Sequence, residues 1–118
     1  MFNIILICSM LLSQFQIQQP LLVKSVGIVE SGLNQFAVGD SGASKGAYQV
    51  QAKHWGKVPK DLYGQTKQAD DILTALVKEN KGNHLIAVER YNGLGCMAKA
   101  YQIKVIKKSM ELYIMEVV

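Results

Sequence analysis

Downstream of Pro20, Leu22, Val26 and Val29 recur at i, i+4 and i+7, the spacing of an apolar stripe along one helix face. Proline suits the first turn of a helix, and Gly32 stands where a left-handed terminator belongs, so a helix is expected from Pro20 to about Ser31. From Asn34 to Gly46 the chain is too rich in Gly and Ser for a helix and reads as a loop or short hairpin. Ala47 to Trp55 turns apolar again, and Gly56, Pro59 and Gly64 punctuate a second irregular stretch. Thr66 has the character of an N-cap, with Asp70 and Asp71 in the first turns and Ile72, Leu73, Leu76 and Val77 as the apolar face. Lys81-Gly82-Asn83 ends that helix and opens the next, His84 to Tyr91, with Leu85 and Val88 inward. Gly93-Leu94-Gly95 breaks the pattern, and from Met97 a long last helix carries Ala98, Tyr101, Val105 and Leu112. The periodicity therefore predicts a mainly α domain with one Gly-rich loop or short hairpin near its start.

Composition sets limits on this picture. With 118 residues, 49% of them hydrophobic, the chain can bury one core without metal or disulfide staples. A net charge of +4 is mild; it favours acidic partners, including nucleic acid, anionic lipid or an acidic cell-wall polymer, without choosing among them. No basic run is interleaved with aromatics, so no nucleic acid is expected as a partner, and Lys104, Lys107 and Lys108 read as the wet face of a helix. The two cysteines, Cys8 and Cys96, and the two histidines, His54 and His84, lack zinc-ligand spacing. Neither a metal nor a cofactor is expected. Ile4 to Leu12 is a nearly unbroken apolar run, too short to span a bilayer and of the length of a signal-peptide core. Residues 1–18 are read as a signal peptide and 19–118 as the folded domain, giving an exported protein, periplasmic, extracellular or virion-associated, with no stable membrane span. A first core helix kept in the mature chain is the alternative.

Glu30 is the candidate for chemistry. At helical spacing it shares a face with Val26 and Val23, and it falls in the last turn, at the negative end of the helix dipole. Both effects disfavour a carboxylate and raise its pKa, as a carboxyl group requires if it is to donate a proton near neutrality; the alternative is a boundary Glu that reaches out to water.

The residues around it extend the pattern. Glu30-Ser31-Gly32, then Gly46-Ala47-Tyr48-Gln49, then Arg90-Tyr91-Asn92-Gly93, and finally Tyr101 follow in that order. This resembles the lysozyme-like domain of the lytic transglycosylases, of the soluble-lytic-transglycosylase type found in bacterial cell-wall enzymes, secretion systems and phages. The likeness runs from about Pro20 to Val105. It implies a lysozyme-like fold with Glu30 as catalytic acid and base. Ser31, Gln49, Tyr91, Asn92 and Tyr101 would line the sugar cleft, the Tyr91 phenol bonding the Glu30 carboxyl and the Asn92 amide holding an N-acetyl group. The implied partner is the glycan strand of peptidoglycan, reached alone or through a secretion apparatus or phage particle. Two departures stand out: Ala47-Tyr48 replaces the usual Leu-Met, and Ala43-Ser44-Lys45-Gly46 is one residue longer than the usual Ala-x-Gly. The Gly-x-Tyr-Gln form followed by Trp55 is also similar to invertebrate-type and phage lysozymes of the same superfamily.

Counting carboxylates bears on the reaction. A conventional glycosidase uses two, whereas the resemblance implies a lytic transglycosylase that needs one: Glu30 protonates the glycosidic oxygen and then takes the proton of the muramyl C6 hydroxyl, closing a 1,6-anhydro ring. The one acid in the loop after Glu30 is Asp40, in a Gly-rich segment, and reads as a turn former. The expectation is thus a transglycosylase; the alternatives are a lysozyme-type muramidase, with Asp40 or a held water completing the chemistry, and a non-catalytic wall-binding or assembly protein of the same fold.

Overall fold

The computed structural model describes residues 17–93 and 95–117. The apolar run Ile4 to Leu12 and Cys8, read above as part of a signal peptide, lie outside the described residues. The protein is mainly helical, with one small sheet.

Helix α1 (Pro20–Ser31) starts at a proline and ends on Gly32, whose φ of 68° is left-handed. There Gly32 N–H donates to Ile28 O at 2.9 Å and Leu33 N–H to Gly27 O at 3.1 Å, satisfying carbonyls that the helix end would leave open. Its inner face is Leu22, Val23, Ser25, Val26 and Gly27. Val23 and Val26 are 1% and 0% exposed, and burying such a side chain contributes roughly 1.5–3 kcal/mol. No side chain of its own caps the α1 N-terminus. The fully buried Asp70 does so from another helix: its Oδ2 accepts from Gln18 N–H at 2.9 Å and its Oδ1 from Gln19 N–H at 2.8 Å. A carboxylate at that position also meets the positive end of the α1 dipole.

The Gly-rich segment forms a meander of three two-residue strands, β1 (Val38–Gly39), β2 (Ser44–Lys45) and β3 (Val50–Gln51), each antiparallel to the next. Val38 pairs with Lys45 and Gly39 with Ser44. The turn between them holds Asp40 and Ser41 at φ of 50° and 57°, a region that non-glycine residues enter at some cost, Asp less than most. A short helix, α2 (Ala52–Trp55), follows β3 directly.

Helix α3 (Leu62–Glu79) starts earlier than the periodicity suggested. Its N-cap is Asp61, which accepts from Gly64 N–H at 2.9 Å, and not Thr66. Gly64 is tolerated inside the first turn because a side chain there would strike Pro59, 2.7 Å from an added Cβ. Thr66 instead bonds Leu62 O at 2.9 Å and the Tyr48 hydroxyl at 2.8 Å. Helix α4 (His84–Asn92) is capped by Asn83, which accepts from Ile86 N–H at 3.1 Å, and buries Ala87 and Val88. Leu85, expected inward, is 50% exposed, because the face that meets α3 and the last helix is centred on Ala87, Val88 and Tyr91. Helix α5 (Cys96–Val117) contributes Ala98, Tyr101 and Val105 to the interior, with Leu112 half-buried.

Helix α5 lies antiparallel across α1. Tyr101 meets Glu30 at one end and Ser109 Oγ meets Ser25 Oγ at 2.7 Å further along. These two hydrogen bonds tie α5 along α1 and fix the end of α1 against it. Among the described residues no helix is long and apolar enough to cross a membrane, and no three His, Cys, Asp or Glu residues cluster as metal ligands would.

Candidate functional site

A groove of about 690 Å³ opens between the end of α1, the sheet, α2 and the end of α4. Glu30, Asp40, Gln49, Trp55, Arg90, Tyr91 and Asn92 are among its lining residues.

Glu30 is half-buried there, and burial pushes its carboxyl group up from 4.5 to about 7. A hydrogen bond from the Tyr101 hydroxyl to Glu30 Oε2, at 3.2 Å, opposes that rise, and the charge of Asp40 adds to it. Loss of water is thus the leading cause, ahead of neighbouring charge. Tyr101 and Tyr91 are themselves driven well above the usual phenol range, first by burial and then by the charge of Glu30. Both phenols therefore remain neutral hydrogen-bond donors at any ordinary pH.

The two tyrosines have duties other than those expected. Tyr91, expected to bond Glu30, donates to Tyr48 O at 2.7 Å and so ties the end of α4 to the segment before β3. The phenol on Glu30 is that of Tyr101, because α5 runs antiparallel to α1 and brings its buried face under the last turn. Tyr101 supports the acid from behind and is not among the groove's lining residues. Nor is Ser31, expected to line the cleft: its Oγ donates to Ala47 O at 2.7 Å and accepts from Asn34 N–H at 3.0 Å, strapping the end of α1 to the loops on either side of the hairpin. Gln49 does line the groove, yet its Nε2 donates to Gly46 O at 3.0 Å and its Oε1 lies against Gly39, where any side chain would collide with it. It braces the hairpin at the groove wall. Asn92, exposed at the last position of α4, is among the groove's lining residues.

Close packing holds the wall in place. Gly27 on α1 leaves room for the Tyr48 ring, 2.7 Å from where a Cβ would sit. Buried Gln65 of α3 knits the hairpin down: its Oε1 accepts from Ala47 N–H at 2.8 Å, and its Nε2 donates to Gln35 O at 3.1 Å and Pro59 O at 2.9 Å.

Four further side chains enter the groove: Asp40, weighed from the sequence only as the second carboxylate of the muramidase alternative, and His54, Trp55 and Arg90, given no site role there. Asp40, read as a turn former, is that and also a groove acid, accepting from the Ser44 hydroxyl at 2.5 Å. His54 and Trp55 come from α2, and Trp55, 45% exposed, presents an aromatic face. Arg90 comes from α4. A signal existed for Trp55, the lone tryptophan of the chain, and for Arg90, which directly precedes Tyr91-Asn92. For Asp40 the signal was its place as the one acid in the loop after Glu30, but a turn Asp looks the same whichever way it faces.

A second concavity of about 720 Å³ is lined by Phe36, Val38, Lys45, Val58 and Pro59. Successive strand residues point to opposite faces, so Val38 and Lys45 face it while Gly39 and Ser44 face the groove. It contains no carboxyl group to act as an acid.

What the groove can do follows from its parts. A desolvated carboxyl half-protonated near pH 7 can give a proton to a leaving oxygen, a second carboxylate stands in the same space, and an aromatic ring with amides suits a sugar with N-acetyl groups. Compared with known proteins, the chain matches no family model, no curated protein and no solved structure.

Proposed function

We propose that this chain cleaves the glycan strand of peptidoglycan between N-acetylmuramic acid and N-acetylglucosamine, with Glu30 as general acid. The observation that carries the proposal is the Glu30 carboxyl group, raised to about 7 by burial while still opening on a polar groove. The sequence resemblance supplies the glycan and the lysozyme-like fold. A helix ending in Glu-Ser, a small antiparallel meander and a tyrosine behind the acid are consistent with both.

Two routes complete the reaction once Glu30 has protonated the glycosidic oxygen. In the transglycosylase route Glu30, now a carboxylate, takes the proton of the C6 hydroxyl, whose oxygen closes on the anomeric carbon as a 1,6-anhydro ring. In the muramidase route a water delivers the oxygen, and a second carboxylate acts as base or nucleophile. The placement of Asp40 in the groove, near enough for its charge to raise the pKa of Glu30, favours hydrolysis. It weighs against the single-carboxylate argument made from the sequence.

Purified protein is incubated with peptidoglycan and the fragments are weighed by mass spectrometry. Reducing-end products support the muramidase, and anhydromuropeptides support the transglycosylase. Asp40→Asn is expected to abolish the first and spare the second. Binding to walls without any cleavage would refute both and leave a wall-binding protein.

A further inference from the structure

We infer that Arg90 is the carboxylate-binding residue of the groove, selecting glycans that carry acidic substituents over neutral N-acetylglucosamine polymers. The inference deepens the glycosidase reading and rests on it for the identity of the ligand.

Arg90 is the one permanently cationic side chain among the lining residues, which also include the acids Glu30 and Asp40. An anionic strand entering such a groove meets repulsion unless a cation offsets it. Among the described residues no side chain or carbonyl is bonded to that cation. Its chain neighbour Glu89 is already held from α5, accepting from Lys99 Nζ at 3.1 Å and Gln102 Nε2 at 3.4 Å. Among the described residues the ion pairs are Lys67–Asp71, Lys99–Glu89 and Lys108–Glu111, and Arg90 belongs to none of them. An arginine in the last turn of a helix could instead bond the terminal carbonyls, but Arg90 makes no such bond among the described residues; the Gly93 N–H takes Glu89 O at 3.2 Å.

The position is firm as well as free. The next residue, Tyr91, is anchored by its hydroxyl to Tyr48 O, so the end of α4 cannot drift from the hairpin. Arg90 is exposed and lines the groove, and half-buried Tyr91 beside it gives it a fixed base. A planar guanidinium offers two parallel N–H groups matched to a carboxylate. Muramic acid carries a lactyl carboxyl at O3, and peptide stems attached there end in carboxylates of their own. The shared chemistry is a carboxylate projecting from one edge of the sugar.

The test measures binding with turnover stopped by Glu30→Gln, using the fluorescence of Trp55, the chain's single tryptophan. Three probes are compared: an N-acetylglucosamine oligomer, a stem-free muramic-acid-containing oligomer, and the same oligomer bearing peptide stems. Adding Arg90→Gln is expected to weaken binding of the carboxylate-bearing probes roughly tenfold, about 1.4 kcal/mol. The neutral oligomer should bind unchanged, and Arg90→Lys should restore part of the loss. A response confined to the stem-free oligomer assigns the lactyl group, and one confined to the stem-bearing oligomer assigns the stems. An equal loss for all three probes, no loss, or no binding of any probe overturns the inference. Cleavage by the wild type without Arg90-dependent discrimination sinks the inference and spares the glycosidase. Arg90-dependent discrimination by a protein that cuts nothing does the reverse.

Discussion

Replacing Glu30 by Gln keeps the size of the side chain and an oxygen for the Tyr101 hydroxyl, and removes only the titration. Between 4.5 and about 7 the folded protein holds a proton on Glu30 that the unfolded chain releases. Stability therefore falls as pH rises through that window, and the loss is complete above about 7. At about 1.4 kcal/mol per pH unit, the difference amounts to ~3 kcal/mol. Glu30→Gln is thus expected to match the wild type at pH 4 and to exceed it by up to ~3 kcal/mol at pH 8.5. For a domain of this size that is a melting-temperature gain of roughly 10 °C. Urea unfolding at the two pH values reads the effect directly. Cell-wall clearing by the same variant should drop by a factor on the order of 10² to 10⁴, the usual contribution of general acid catalysis. A gap between the two proteins that does not change with pH would show that the carboxyl is not desolvated. Clearing that survives the substitution would show that Glu30 is not the acid.

Tyr101→Phe removes a hydrogen bond that favours ionised Glu30; the alkaline limb of the pH–rate profile should move above about 7, with a loss of about 1 kcal/mol in stability. Asp40→Asn should lower the pKa of Glu30, because the charge of Asp40 raises it; NMR titration of the Glu30 carboxyl reads the shift without turnover, and an unmoved midpoint would separate the two groups electrically. Asp70→Ala orphans the Gln18 and Gln19 amides at the start of α1; chemical denaturation should register a loss on the order of 2–4 kcal/mol, and a change under 0.5 kcal/mol would remove Asp70 as the cap.

Short-range physics made much of the fold legible in the sequence. The α1 bounds follow from Pro20 at one end and Gly32 at the other, and Asn83 between two apolar runs divides α3 from α4. These signals act within one turn of chain, so they can be read without knowing what packs where. The start of α3 was misplaced because Gly64 reads as a breaker, while in the first turn it merely clears Pro59. Leu85 was misplaced because a nine-residue helix offers too few turns to centre its buried face by periodicity alone.

Glu30 could be singled out because its place beside Val23 and Val26 at the end of α1 is a property of that helix alone. The direction of its pKa shift came with that place. What the tertiary structure decided is which groups surround it. Tyr101 and not Tyr91 bonds the carboxyl, since the antiparallel crossing of α5 over α1 is fixed by packing across 71 residues of chain. Ser31 and Gln49 spend their hydrogen bonds on bracing the hairpin, and Asp40, Trp55 and Arg90 are turned into the same groove from three separate elements. A sequence records the identity of these side chains, but their facing depends on strand register and helix contacts that only the assembled chain sets.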